Sequence, residues 1–275
     1  MNTENSNTLL SWELPDSLWR TLEPMIPERK SHLGRPRSVN FKQILAGIFY
    51  VLRTGIQWQA LPREKFGPPS TVYHYFKTWA DDGVFSKMWA AALSSYDEIC
   101  ALDWQWQSVD GAMTKAPLGG EATGKNPTDR AKSGVKRSLL TEAHGIPIAI
   151  VSAGANVPDF KLLEETLQAT VIEKPMPDEQ SPQHLCLDKG YDYQICHDTV
   201  KAHDYIPHIR TRGEEIADQK KDPQKKARRW VVEVTHSWLN RFRKILVRFE
   251  KLLTRHLALL QLACAYIVLK RARTF

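Results

Sequence analysis

The chain has 275 residues, 42% of them apolar and 25% charged, a composition that excludes wholesale disorder and suits one or two folded domains. Its formal charge of +7 is unevenly placed: residues 201–275 hold 18 Lys/Arg against 7 Asp/Glu, whereas residues 1–200 hold 20 against 24. A basic quarter beside a mildly acidic remainder points to a polyanionic partner, nucleic acid first, near the C-terminus, or else to a solvated basic face.

The opening residues carry no basic-then-apolar leader, the most apolar stretch (257–269) is too short to span a bilayer and reads as a buried helix, and the four cysteines form no CxxC pair. We therefore expect a cytoplasmic protein with reduced thiols and no membrane or small-molecule partner. In chain order, Asp16 is placed to cap a short helix over 17–23 that stops near Pro24 and Pro27. Residues 32–37 (HLGRPR) read as a basic loop whose Arg35 and Arg37 could reach phosphates or serve as a solvated connector. Ile44, Leu45, Ile48, Val51 and Leu52 recur at helical spacing and predict a helix over 41–53 that stops at Gly55. Ser70 is a good cap for a helix over 71–80, with an aromatic face (Val72, Tyr75, Phe76, Trp79) and a polar one (Thr71, His74, Lys77, Thr78). A further helix over 85–99 ends the block. A short helix with a polar N-terminal end, following another helix across a loop, has the form of a helix-turn-helix reader; this would set Thr71, His74 and Lys77 against DNA, though a plain solvated face has the same pattern.

From residue 104 the period changes. Residues 104–110 alternate apolar and polar and read as a strand, and 137–142 and 146–152 are two more, joined by a hairpin turn over 143–145. A helix over 158–169, a strand over 184–188, a helix over 191–203 and a strand over 205–210 follow. Residues 211–226 read as charged loop, 227–243 as a helix, and 244–270 as one long helix or a pair of helices. The order β-β-β-α-β-α-β-α predicts an α/β mixed sheet with flanking helices, preceded by an all-α helix-turn-helix-like block. The composition break places the boundary between the helical block, 1–102, and the α/β part, 103–275.

The chemistry is expected at Asp110, Asp188 and Glu233. Asp110 and Asp188 each end a predicted strand, and carboxylates at the ends of neighbouring central strands converge where open α/β sheets bind ligands. Glu233 lies on a helix among Arg228, Arg229 and Arg241. A divalent ion accounts for an acid in such company, because Mg²⁺ is held by a few carboxylates and keeps positions open for water and phosphate oxygens. Two such ions can activate a nucleophile and stabilise a leaving oxygen at phosphorus. The same acids could be a turn residue before glycine, or a helical ion pair between Glu233 and Arg229. Asp103, Asp129, Glu142 and Asp192 compete for the role. Lys125, Arg130, Lys132, Lys136 and Arg137 follow the first acid closely and read as a phosphate-contacting loop and strand start, or as a basic loop with no such role.

The residues carry a resemblance across essentially the whole chain. Its marks are GRPR (34–37), IFYVLRTGIQW (48–58), LP (61–62), TVYHYF (71–76), VDG (109–111), GKNPTDR (124–130), KR (136–137), LDKGYD (187–192) and VVEVTHSWLNRFR (231–243). In order and spacing the chain resembles the IS5 family of insertion-sequence transposases, within the IS4-like DDE group. The acids are separated by 78 and 45 positions. The resemblance implies a ribonuclease-H-like catalytic domain in which Asp110, Asp188 and Glu233 bind Mg²⁺ (or Mn²⁺), with two ions. It implies cutting of double-stranded DNA at the inverted-repeat ends, then attack of the freed 3′-hydroxyl on target DNA, by a homodimer at the bacterial nucleoid. The group's Tyr-x₂-Arg-x₃-Glu-x₆-Lys signature is only partly kept. Arg229 matches its Arg, but Lys226 stands at the Tyr position and Asn240 at the Lys position, so Arg241 or Arg243 is expected to replace the missing Lys. His236 and Trp238 are expected to pack against the helix's neighbours, or else to touch a DNA end. The departures keep open a decayed or domesticated transposase that only binds DNA, or a nuclease of the same fold that never joins strands.

Overall fold

The structure is a computed structural model that describes residues 12–27, 40–209 and 230–272. Arg35 and Arg37, the predicted loop over 211–226, and Arg228 and Arg229 lie outside the described residues.

The N-terminal part is helical as expected: α1 (Asp16–Leu22), α2 (Phe41–Thr54), α3 (Arg63–Phe66), α4 (Pro69–Asp81) and α5 (Val84–Cys100). Helix α2 starts where the Asn40 side chain accepts the Gln43 N–H at 3.0 Å. It stops at Gly55, whose φ of 74° is left-handed and which has the Arg243 side chain against the place of a Cβ. Two expected caps are corrected. Helix α4 begins at Pro69 rather than after Ser70, because proline fits a first turn that needs no N–H partner. Asp16 lies inside the first turn of α1, where its carboxylate meets Lys42 Nζ at 2.6 Å instead of capping the backbone.

The second part is built on a six-stranded sheet: β1 (Trp106–Lys115), β2 (Gly124–Lys125), β3 (Ser133–Glu142), β4 (Pro147–Gly154), β5 (His184–Leu187) and β6 (Ile206–Ile209). Strand β1 pairs antiparallel with β3, and β3 with β4; on the other side β1 pairs parallel with β5, and β5 with β6. The short β2 pairs with β3. The order β4-β3-β1-β5-β6, an antiparallel meander continued by two parallel strands, is the ribonuclease-H-like arrangement. Strand β1 runs on to Lys115, five residues past its expected end, because β3 offers it partners along its whole length.

Helix α6 (Leu163–Gln168) packs on β3 and β4, and α7 (Gln194–Ala202) on β6. The helix expected over 158–169 is a 3₁₀ turn, Asp159–Leu162, followed by α6. Helix α8 (Trp230–Leu239) crosses β1 and β3, α9 (Arg243–Leu246) touches α2, and α10 (Leu253–Arg271) packs on α5 and β4. Helix α10 has 19 residues and is long and apolar enough, by composition, to cross a membrane; it is instead the spine of the core, with Leu259, Leu260, Leu262 and Ala263 fully buried. A buried leucine contributes about 1.5–3 kcal/mol. One apolar cluster joins Leu18, Phe49 and Trp89 of the N-terminal helices to α10 and to Leu139 and Leu185 of the sheet. Trp89 also donates its indole N–H to the Pro147 carbonyl at 3.1 Å, tying α5 to the β3–β4 hairpin.

Candidate active site

The register of the sheet brings the first two acids together. Ser108 of β1 is paired with Cys186 of β5, and Asp110 and Asp188 each lie two residues further on. Two residues restore the same face of a strand, so both carboxylates emerge on one face of neighbouring strands about 4.8 Å apart. Asp110 is thus inside β1 rather than at its end, while Asp188 directly follows β5 and accepts the Gly190 N–H at 2.9 Å. Helix α8 supplies the third acid. Its His236 ring approaches the Asp110 carbonyl at 3.4 Å, and Glu233 lies one turn earlier on that side of the helix, exposed.

A fourth carboxylate, Asp159, was missed in the sequence. Its Oδ2 meets Lys136 Nζ at 2.9 Å, and its Oδ1 is buried without a hydrogen-bond partner. A Cβ on Gly111 would come within 1.9 Å of that Oδ1, so glycine beside Asp110 leaves the room in which the carboxylate sits. The sequence signal was present only as an acid after Pro158; its approach to Gly111 is tertiary. The other three acids bear on Asp110. Burial pushes the Asp110 carboxyl from 3.8 up to about 6, opposed by the Gly111 N–H and reinforced by Asp188, Asp159 and Glu233. Burial, with Asp159, Asp110 and Asp188, also raises the Tyr191 phenol, whose hydroxyl is buried and has no hydrogen-bond partner.

The competing acids are engaged elsewhere. Glu142 accepts the N–H groups of His144 and Ile146 at 2.7 and 2.9 Å and so staples the hairpin. Asp103 accepts the Gln105 N–H, Asp129 faces Lys115 at 3.4 Å, and Asp192 faces His197.

The expected DNA-contacting cations divide. Lys125, Arg130 and Lys132 are exposed on the segment between β1 and β3. Lys136 and Arg137 are buried, contrary to the phosphate-contact reading. Neighbours on a strand point to opposite faces, and β3 is covered on both. Lys136 therefore reaches Asp159 and the Val157 carbonyl, while Arg137 points towards α8. There Arg137 Nε donates to His236 Nδ1 at 3.2 Å and Nη2 to Asn240 Oδ1 at 2.8 Å. Burial and then Arg137 lower His236 to about 3, so it is neutral. Asn240, where the resemblance expects a lysine, is thus a partner of a buried arginine. Arg241 and Arg243 are exposed beyond the end of α8. On α4, His74 is exposed and Thr71 and Lys77 are half-buried, with Lys77 Nζ 5.4 Å from the Tyr73 ring centroid.

Carboxylate oxygens are the donors that hard divalent cations take. Asp159 Oδ1 and the Tyr191 hydroxyl lack hydrogen-bond partners and the Asp110 carboxyl is raised by burial, so these oxygens are acceptors that a hydrated cation could engage. Among the described residues no three His, Cys, Asp or Glu side chains stand together tightly enough to hold an ion as they are. The donor set fits; holding an ion requires these mutually repelling carboxylates to close in.

Comparison with known proteins settles the family. Residues 97–268 match a family model described as "Transposase DDE domain", and residues 14–89 match one described as "Putative transposase of IS4/5 family". The chain belongs to the DDE transposases of the IS4/5 group. It is 35% identical over 147 residues, 53% of this chain and 67% of the relative, to the "Putative transposase for insertion sequence element IS402" of Burkholderia cepacia. It is 29% identical over 119 residues, 42% of this chain and 80% of the relative, to an uncharacterized 16.2 kDa protein of the same insertion element. Among solved structures it is similar to a pre-cleavage Mos1 transpososome, with TM-score 0.29 and 9% identity over 89% of this chain and 82% of that one. The fold assignment rests on the strand order and not on that likeness. As a DDE transposase the chain is a DNA-cleaving and strand-transferring enzyme that uses divalent metal ions.

Proposed function

We propose that this transposase binds the terminal inverted repeats of its own insertion sequence and cuts there with Asp110, Asp188 and Glu233 as its metal-binding acids. The observation that carries the reading is the register of β1 and β5, which sets Asp110 beside Asp188 on the face that α8 crosses with Glu233. These acids would hold Mg²⁺ or Mn²⁺, two ions, and the ions would supply charge neutralisation at the phosphate and a more acidic water. Asp188 is held in place by the Gly190 N–H, and Lys136 holds the Asp159 carboxylate over Gly111, on the other face of β1. The exposed Lys125, Arg130 and Lys132 hold the backbone of the strand being cut. The reaction is an in-line displacement at the end phosphodiester by water, then attack of the freed 3′-hydroxyl on target DNA.

In this reading residues 1–102, with Thr71, His74 and Lys77 of α4 and Arg35 and Arg37, recognise the repeats. Residues 103–275, with Arg229, Arg241 and Arg243, carry out catalysis. Two ends must be joined, so the working form is a homodimer on double-stranded DNA at the bacterial nucleoid, in the cytoplasm.

The test is cleavage of duplex carrying the element's end, with Mg²⁺, by Asp110→Asn, Asp188→Asn and Glu233→Gln variants. Each is expected to lose cleavage and to keep end binding. Near-normal cleavage by any one removes that residue from the site, and wild-type binding without cleavage supports a decayed enzyme instead.

A further inference from the structure

Behind the acids, two 3₁₀ turns are packed together. One is Asp159–Leu162; the other, Lys189–Tyr191, follows Asp188 directly. Phe160 of the first turn and Tyr193, just after the second, stack with ring centroids 4.5 Å apart. Each turn carries one buried oxygen without a hydrogen-bond partner: Oδ1 of Asp159 and the hydroxyl of Tyr191. Tyr191 is 1% exposed. A buried tyrosine hydroxyl ordinarily finds a partner, and one left without costs stability that phenylalanine at the same place avoids. The two oxygens are complementary. Burial, and after it Asp159 ahead of Asp110 and Asp188, raises the Tyr191 phenol, so the hydroxyl keeps its proton and is a donor. Asp159, ion-paired to Lys136, is an acceptor.

The two residues differ in freedom. Asp159 is anchored: Lys136 Nζ donates to its Oδ2 at 2.9 Å and to the Val157 carbonyl at 2.8 Å, and Oδ1 lies in the room left by Gly111. Tyr191 belongs to a turn tied to Asp188, whose side chain accepts the Gly190 N–H at 2.9 Å and whose carbonyl accepts the Tyr191 N–H at 3.1 Å. Among the described residues no three acids stand close enough to hold an ion as they are. Asp188 therefore has to shift towards Asp110 before an ion is held, and the turn shifts with it.

We propose that Tyr191 is a positioning residue: as Asp188 closes on Asp110, the Tyr191 hydroxyl donates to Asp159 Oδ1 and latches the turn in its closed place. The bond then links Asp188, through Tyr191, Asp159 and Lys136, to β3, on the face of β1 turned away from Asp110. The hydroxyl without a partner is the latch in its open state. The proposal rests on the function proposed above and adds a residue to it.

The experiment compares wild type, Tyr191→Phe, Asp159→Asn and the double variant as full chains. The first reading is thermal melting in EDTA. Tyr191→Phe removes only a hydroxyl without a partner, so it melts at or above the wild-type temperature; a lower melting temperature means that the hydroxyl is already bonded in the open state and overturns the latch. The second reading is Mn²⁺ affinity on duplex carrying the element's end, taken from the electron paramagnetic resonance of free Mn²⁺, which does not depend on turnover. Tyr191→Phe binds Mn²⁺ about ten-fold more weakly, the worth of one hydrogen bond to a charged group. Its cleavage rate recovers towards wild type as Mn²⁺ is raised, which a damaged fold does not allow. In Asp159→Asn the amide turns its oxygen to Lys136 and an N–H to Tyr191, so the acceptor is lost; adding Tyr191→Phe then weakens Mn²⁺ binding no further. Additive losses, or wild-type affinity in Tyr191→Phe, overturn the latch. If Asp159→Asn does not fold, the two readings on Tyr191→Phe decide. The underlying function is read separately through Asp188→Asn. Loss of Mn²⁺ binding there, with Tyr191→Phe unaffected, overturns the latch and leaves the proposed function standing; wild-type affinity in Asp188→Asn overturns both.

Discussion

Replacing Asp110 by Asn should stabilise the metal-free protein. The Asp110 carboxyl is raised from 3.8 to about 6 by burial and by three neighbouring acids, and its ionisation at neutral pH is therefore a cost of folding. The folded-state value lies above the unfolded one. The contribution is thus harmless below about pH 3.8, and stability is lost as pH rises through about 6. About two pH units at roughly 1.4 kcal/mol each give an upper limit near 3 kcal/mol; partial solvent access reduces this to about 1–2 kcal/mol. For a protein of this size that is a rise of roughly 2–8 °C in melting temperature at pH 7.5 in EDTA. The gain should shrink to a few tenths of a kcal/mol at pH 4, and excess Mg²⁺ should narrow it by stabilising the wild type. Thermal melts of both proteins at the two pH values, with and without Mg²⁺, measure it. An Asn variant melting no higher than wild type at pH 7.5 without metal, or a gap equally large at pH 4, would refute the picture of crowded, uncompensated carboxylates.

Gly111→Ala should drive its new Cβ into the Asp159 carboxylate, break the contact with Lys136 and cost about 1–3 kcal/mol, with cleavage falling further than end binding; melting and cleavage assays report the two effects. Arg137→Met should leave the salt dependence of DNA binding unchanged and stability within about 2 kcal/mol, because a buried arginine with one nitrogen lacking a partner gains little over an apolar side chain. A flattened salt slope would return Arg137 to the DNA surface.

Much of this was readable in advance where local chemistry decides. The apolar spacing of α2, the Gly55 stop and the β3–β4 hairpin follow from short-range preferences, and the structure has them within a residue or a few. Asp188 was readable for the same reason, since an apolar run that stops at Asp-Lys-Gly leaves the acid at a strand end. Asp110 was placed at a strand end but lies inside one, because the continuation through Ala112 and Met113 is dictated by pairing with β3. Asp159 could not be placed at all: the loop after β4 carries it back over Gly111, a contact of residues nearly fifty positions apart. Lys136 and Arg137 misled through their charge. The adjacent Leu139 and Leu140, apolar on successive positions, already signalled a strand covered on both faces, and that cover extends to the two cations.

The packing of α10 between α5 and the sheet has a consequence for the DNA itself. With Leu259 and Leu260 seated in a core shared by the N-terminal helices and the strands, the part that would read a sequence cannot swing independently of the part that would cut it. In the function proposed above the chain would be a ruler of fixed length. The distance from α4 to Asp110 would set which nucleotide of an end is severed, and an extra base pair between the two would have to be absorbed by bending the duplex or by cutting in the wrong place.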